Sequence, residues 1–245
     1  MIELEPLKND DAVAVRLDGA NLGCVRIARS PFHAQNAYLA FDDGVILPEI
    51  ATELFQGLFE LIKAPLQVMI PSSDARMEAF LAAGGFKLMR RCYSMSVELC
   101  DLIRGPGGQK SPSAPQLFYA KRGEDRYAEL AFMMFEQYKR THASISPLTA
   151  RFEEFCSALP DEAVYSQAGG GAICLAFIDE SEIAYVCGTE DTSFPAFCHA
   201  LASSLFERYE RIEFECDDCD EYAMALRSLF DDRGEESFNT YVYGK

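Results

Sequence analysis

The chain ends each of its halves with the same run of elements, and that repetition limits the fold more than any other feature of the sequence. Residues 72–99 (SSDARMEAFLAAGGFKLMRRCYSMSVEL) read as a short helix, a Gly-Gly-Phe turn and a long strand. Residues 216–244 (CDDCDEYAMALRSLFDDRGEESFNTYVYG) read the same way. One helix and one strand cannot bury their apolar faces alone, so each copy needs a sheet to pack on. At 245 residues the chain has room for two modest domains.

The second half is the more complete. QLFYAKRG (116–123) alternates like a strand, and DRYAELAFMMFEQYKRT (125–141) places apolar residues at helical spacing. SPLTARFEEFCSALP (146–160) reads as a second helix, with Ser146 as cap and Pro147 in the first turn. Three strand-like runs follow, AVYSQ, AICLAFID and EIAYVCG, then a helix (193–209), a strand (211–216), a helix (220–230) and a strand (237–244). The glycine run AGGGA (168–172) joins two strands as a turn.

The first half is an abridged copy. AVAVRLD, NLGCVRIARS and NAYLAFDD are strands, residues 47–63 a helix and 65–70 a strand, before the closing helix and strand. The two early helices have no counterpart, which leaves apolar sheet surface in need of cover and gives the first domain a mainly structural part. The Gly-, Pro- and Ser-rich stretch CDLIRGPGGQKSPSAPQ (100–116) reads as the connection. The expected division is a truncated domain over 1–104, a linker over 105–115 and a full domain over 116–245.

This element order resembles the GNAT superfamily of acyl-CoA-dependent N-acetyltransferases, in tandem. The family pattern Asn-x-x-Ala-x-x-Leu-Tyr-x-x-x-Gly-Phe aligns with Asp74, Met77, Phe80, Leu81 and Gly85-Phe86, and again with Asp220, Ala223, Leu226, Arg227 and Asp231-Asp232. The resemblance implies an α/β (α+β) fold: two GNAT-like domains, each a mixed, mostly antiparallel sheet flanked by helices. It also implies acetyl-CoA as co-substrate and an amine acceptor. The sequence departs from the family in two places. The pyrophosphate loop is replaced by DDGVILPEIA and CGTEDTSFPAF, each with one glycine (Gly44, Gly188), and Leu81 and Arg227 stand where the family has its general-acid Tyr.

The resemblance places the donor in the second domain. Tyr185, Val186, Cys187 and Gly188 line the acyl-pantetheine, and Thr192, Ser193 and Phe194 begin a helix whose N–H groups face phosphate. The strands of residues 182–188 and 211–216 are expected to splay around it. Tyr222, Tyr241 and Tyr243 are the candidates for the missing acid. Asp218 and Asp220 are expected to take the acceptor's proton, with Asp217 beside them. Lys87, Arg90 and Arg91 form a second positive patch in the first domain. Cys187 has no positioned base in the sequence and reads as a buried thiol rather than a nucleophile. The alternative to an enzyme is a GNAT-fold ligand-binding or protein-interaction module without catalysis.

Charge narrows the partners. The net charge is −17, with ten Lys/Arg against fourteen Asp/Glu in residues 1–105 and twelve against twenty-five in the remainder. Such a surface repels nucleic acid and anionic lipid and suits a small cationic acceptor such as a polyamine, an aminoglycoside or a lysine-like amine. Nine cysteines at irregular spacings read as reduced thiols. CDDC (216–219) is half of a zinc site with no second pair, and His33, His142 and His199 have no ligand spacing, so no metal is expected. The beginning of the chain shows no secretory signal and no run spans a bilayer, so a cytoplasmic protein is expected.

Overall fold

The computed structural model describes all residues except 8–10, 104–114, 168–172, 190–192, 232–235 and 245. Residues 105–114 of the expected linker and the whole AGGGA turn lie outside the described residues. Contacts divide the chain into two compact units. Unit 1 comprises Met1–Arg91, His142–Ala150 and Ser237–Lys245; unit 2 comprises Cys92–Thr141 and Arg151–Glu236. Each unit draws on both halves of the sequence.

In chain order the strands and helices are β1 (Ile2–Pro6), β2 (Ala12–Leu17), β3 (Ala20–Ala28), β4 (Ala37–Phe41), α1 (Ala51–Ile62), β5 (Leu66–Pro71), α2 (Ala75–Ala83) and β6 (Lys87–Glu98). They continue with β7 (Phe118–Lys121), α3 (Asp125–His142), α4 (Phe152–Ala158), β8 (Glu162–Gln167), β9 (Ile173–Asp179) and β10 (Glu182–Gly188). The last are α5 (Phe194–Phe206), β11 (Arg211–Asp217), α6 (Glu221–Arg227) and β12 (Glu236–Tyr243). The order of the second half is as read from the sequence. The first half gains β1, so it copies the second apart from α3 and α4.

Unit 1 orders its strands β1-β2-β3-β4-β5-β12, and unit 2 orders its own β6-β11-β10-β9-β8-β7. Both are antiparallel except for one parallel pair, β4 with β5 and β10 with β11. The closing strands are exchanged. β12, from the end of the chain, pairs with β5 from Tyr243↔Leu66 to Phe238↔Pro71. β6, from the first half, pairs with β11 from Arg211↔Glu98 to Asp217↔Cys92.

The core of unit 1 is an aromatic knot. Phe55 of α1 meets Phe80 of α2 at 4.9 Å and Phe86 at 4.7 Å, and Tyr243 of β12 reaches Phe86 at 5.5 Å. The turn into β6 is the expected Gly-Gly-Phe. Gly85 takes φ +86°, and the N–H groups of Phe86 and Gly85 donate to the carbonyls of Leu81 and Ala82, closing α2 in a Schellman arrangement.

The expected helix over 146–160 starts late. Arg151 N–H donates to Glu154 Oε2 at 2.8 Å and caps the helix there. Residues 142–150 belong instead to unit 1. Thr149 bonds the backbone of Phe32 and Ala34, Asn36 donates to the Ile145 carbonyl at 3.0 Å, and the hydroxyls of Tyr38 and Ser146 are 3.1 Å apart. Asp11, Ala12, Arg26, Ile27, Ala28, Tyr38, Leu39 and Ala40 line an open groove of about 500 Å³.

Candidate active site

The parallel pair β10 and β11 meets at only two positions, Glu182↔Glu213 and Ile183↔Phe214. The register of β10 against β9 then slips between Ile183 and Tyr185, a bulge at Ala184. From there the strands run on without pairing, Tyr185 to Gly188 on one side and Glu215 to Asp217 on the other. Strands that part this way leave backbone polar groups facing the gap.

The alternation of β11 sorts its side chains. Ile212, Phe214 and Cys216 are buried, while Glu213 and Glu215 are exposed. Asp179 is the register partner of Glu182, and Phe177 of Tyr185. Phe177 packs edge-on against Tyr127 of α3, which places these residues on the α3 side of the sheet. Burial, then Asp179, Glu215 and Glu213, raise the Glu182 carboxyl above its ordinary pKa. Burial, then Glu182 and Glu215, do the same for the Tyr185 hydroxyl. A row of carboxylates therefore stands beside Tyr185, whose ring lies 6.1 Å from Tyr138 and 6.0 Å from Phe155.

No protein-family model matches the sequence and no curated protein matches it. Solved structures do resemble it. A GCN5-related N-acetyltransferase from Sphaerobacter thermophilus superposes with a TM-score of 0.53 at 14% identity, over 95% of this chain and 80% of that one. A second, from Kribbella flavida, gives 0.50 at 16% identity, over 96% and 88%. The chain has the GNAT fold.

Within this fold the sequence-predicted residues fall into three groups. Cys187, Gly188, Ser193, Phe194, Asp220 and Tyr222 come together where β10 ends and α5 and α6 begin. Asp220 is the N-cap of α6: its Oδ1 accepts the N–H groups of Tyr222 (3.0 Å) and Ala223 (3.4 Å), and Gln137 Nε2 of α3 (3.4 Å). Burial raises its pKa, and those hydrogen bonds oppose the rise. Burial, with Asp220 next, pushes the Cys187 thiol up to about 12, so at neutral pH it is no nucleophile. Ser193 Oγ lies 3.4 Å from Cys174 Sγ, and the Phe194 and Tyr222 rings meet edge-on at 4.7 Å.

Elsewhere in unit 2, Tyr185 faces the carboxylate row, Val186 is buried and Asp218 is exposed. Thr192 lies outside the described residues. The third group leaves the site. Tyr241 and Tyr243 belong to unit 1 because β12 is exchanged, and the Tyr241 hydroxyl donates to Glu78 Oε1 at 3.1 Å. The Arg227 guanidinium lies 4.0 Å over the Tyr93 ring. Sequence reasoning missed Glu182, Glu213, Glu215, Gln137 and Arg140 of α3, which donates to Gln137 Oε1 at 2.6 Å and to Glu221 Oε1 at 2.7 Å. The alternation in RIEFECD was the available signal for two of them; α3 gave none.

The loop after β4 in unit 1 is tied to β3 and α2 by hydrogen bonds. Asp42 accepts the Cys24 N–H (2.9 Å) and pairs with Arg26 (2.9 Å), and Arg76 donates to the carbonyls of Asp43 and Ile46. The second positive patch is also engaged: Arg90 lies 3.1 Å from His142 and 3.4 Å from Thr240, and Arg91 donates to Asn239 at 3.0 Å. Among the described residues no helix is long and apolar enough to cross a membrane, and no His/Cys/Asp/Glu group could hold a metal ion.

Proposed function

We propose that the chain is an acyl-CoA-dependent N-acetyltransferase that uses acetyl-CoA to acetylate a small cationic amine in unit 2. The observation that carries this reading is the two-residue contact between β10 and β11, beyond which the strands part beside a carboxylate-lined face. The divergence suits a pantetheine arm, which is extended and needs backbone donors and acceptors. Val186 to Gly188, Ser193 and Phe194 would line it. Unit 1 has the same short parallel contact, but its loop is tied down by the hydrogen bonds of Asp42 and Arg76, which supports a structural part for it.

A thioester supplies an activated acyl group. The protein must deliver an amine that has lost its proton. Glu182, Glu213 and Glu215 attract the protonated form. A carboxylate whose pKa is raised is the better proton acceptor near neutral pH, so Glu182, with Glu215 beside it, takes the role first expected of Asp218 and Asp220. Asp220 serves the helix instead. Tyr222 is the one expected acid that stays in unit 2, and its hydroxyl would return a proton to the departing sulfur. A cytoplasmic protein without nucleic-acid or membrane partners agrees with the net charge of −17.

Calorimetry with acetyl-CoA followed by an amine panel tests the reading. Binding is expected, with diamines and polyamines acetylated in preference to neutral amines. The double variant Glu182→Gln/Glu215→Gln should lose about tenfold or more in kcat/KM for cationic acceptors with unchanged acetyl-CoA affinity. A preference for neutral amines would overturn the acceptor. Absence of acetyl-CoA binding would leave a GNAT-fold ligand-binding or interaction module.

A further inference from the structure

The gap between β10 and β11 is closed at its wide end by two aromatic rings. Phe194 is the first residue of α5, which follows β10, and Tyr222 is the second of α6, which follows β11. Their centroids are 4.7 Å apart at 62°, and the residues are 1% and 6% exposed. Gly188, the last residue of β10, lies under both. A methyl group there would stand 3.1 Å from Phe194 and 3.2 Å from Tyr222. The strands separate, and the first turns of their helices meet again across the opening.

What holds α6 in that place comes from α3. Gln137 Nε2 donates to Asp220 Oδ1 at 3.4 Å. Arg140 donates to Gln137 Oε1 at 2.6 Å and to Glu221 Oε1 at 2.7 Å. A helix of seven residues has little stability of its own. The position of its first turn is therefore set by this cap and by packing.

We propose that Phe194 and Tyr222 form a gate across the donor slot, and that Gln137 and Arg140 latch it shut through Asp220 and Glu221. The inference rests on the donor binding in unit 2. The arm of acetyl-CoA enters when the Tyr222 ring leaves Phe194, and the latch sets how often that happens. Two residues that the sequence marked for proton transfer, Asp220 and Tyr222, thereby also control access.

Stopped-flow association of acetyl-CoA with the full chain tests this. Tyr222→Ala should raise the association rate about tenfold, and Arg140→Ala, which keeps both rings, should raise it by less. Tyr222→Phe keeps the ring and should associate like the wild type while losing turnover. Equal rates in all four proteins would overturn the gate and leave the donor site standing. Tyr222→Phe associating as fast as Tyr222→Ala would assign the effect to the hydroxyl and overturn the gate as well. No binding by any protein with a cooperative melting curve would overturn the donor site and the gate together. Should Tyr222→Ala not fold, Arg140→Ala decides the matter with the rings intact.

Discussion

At Gly84 a β-carbon would stand 2.1 Å from Phe55 Cδ2, in a core where Phe55 is fully buried. The ring cannot retreat, because Phe80 and Phe86 pack against it. Gly84→Ala should therefore cost about 1–3 kcal/mol in urea unfolding; a loss of a few tenths would mean that the knot relaxes. The sequence marked both glycines of the turn, but only packing assigns the close approach to Gly84 and the positive φ to Gly85. His33 gives a pH signature. Burial lowers its pKa, Arg90 adds to that, and hydrogen bonds to the Pro147 and Ser146 backbone oppose it. Between the lowered pKa and the ordinary value of about 6.5 the unfolded chain binds more protons than the folded one, so stability falls as pH drops through that window. The wild type should lose more melting temperature than His33→Gln between about pH 7.5 and pH 5.5. Parallel curves would show that His33 binds protons equally in the folded and unfolded states.

Helix starts show how far local rules reach. Asp74 and Asp220 occupy equivalent places in the repeated run, and each caps its helix, Asp74 by accepting the Met77 N–H at 3.0 Å. Asp74→Ala should cost about 1 kcal/mol. Asp220→Ala should cost more, because the buried Gln137 amide loses an acceptor as well. Asp220→Asn should keep most of the stability, since Asn caps as well as Asp. Denaturant titration of the three variants checks the order, and an Asp220→Asn loss as large as that of Asp220→Ala would shift the weight from the cap to the charge. The same rules misplaced α4. Ser146 and Pro147 make a good local helix start, yet Ser146 is spent on Tyr38 and the cap forms at Arg151. β1 was missed although IELEP alternates, because a five-residue edge strand carries little signal.

Strand exchange belongs to the whole molecule. Unit 1 closes its sheet with β12, and Tyr241 and Tyr243 pack into or against its core. Residues 1–104 alone lack that strand. They are expected to give an aggregating or unfolded product, with the β5 edge and the Phe55 cluster exposed. Co-expression of residues 1–103 with 115–245 should restore a soluble complex, because each fragment brings the other's closing strand. Gel filtration and circular dichroism of the fragments, alone and together, decide the matter: a folded, soluble 1–104 monomer would mean that β12 is dispensable. We propose that the two sequence halves are related repeats, as their element orders suggest, and that the compact units arose by trading their last strands.

The order of elements, the repeat, the capping aspartates and the Gly-Gly-Phe turn could all be read from the sequence, because each depends on residues within a few positions of one another. The splay of β10 from β11 was also foreseen, through the resemblance that element order carried. Tertiary structure alone decided which sheet receives each closing strand, since β6 and β12 have similar alternation and pairing partners are chosen by burial far along the chain. It also decided that Asp220 would cap a helix under Gln137 and that residues 142–150 would leave their helix for unit 1. The carboxylate row arose the same way: Glu182 and Glu213 stand side by side through the register of two strands that α5 separates in sequence.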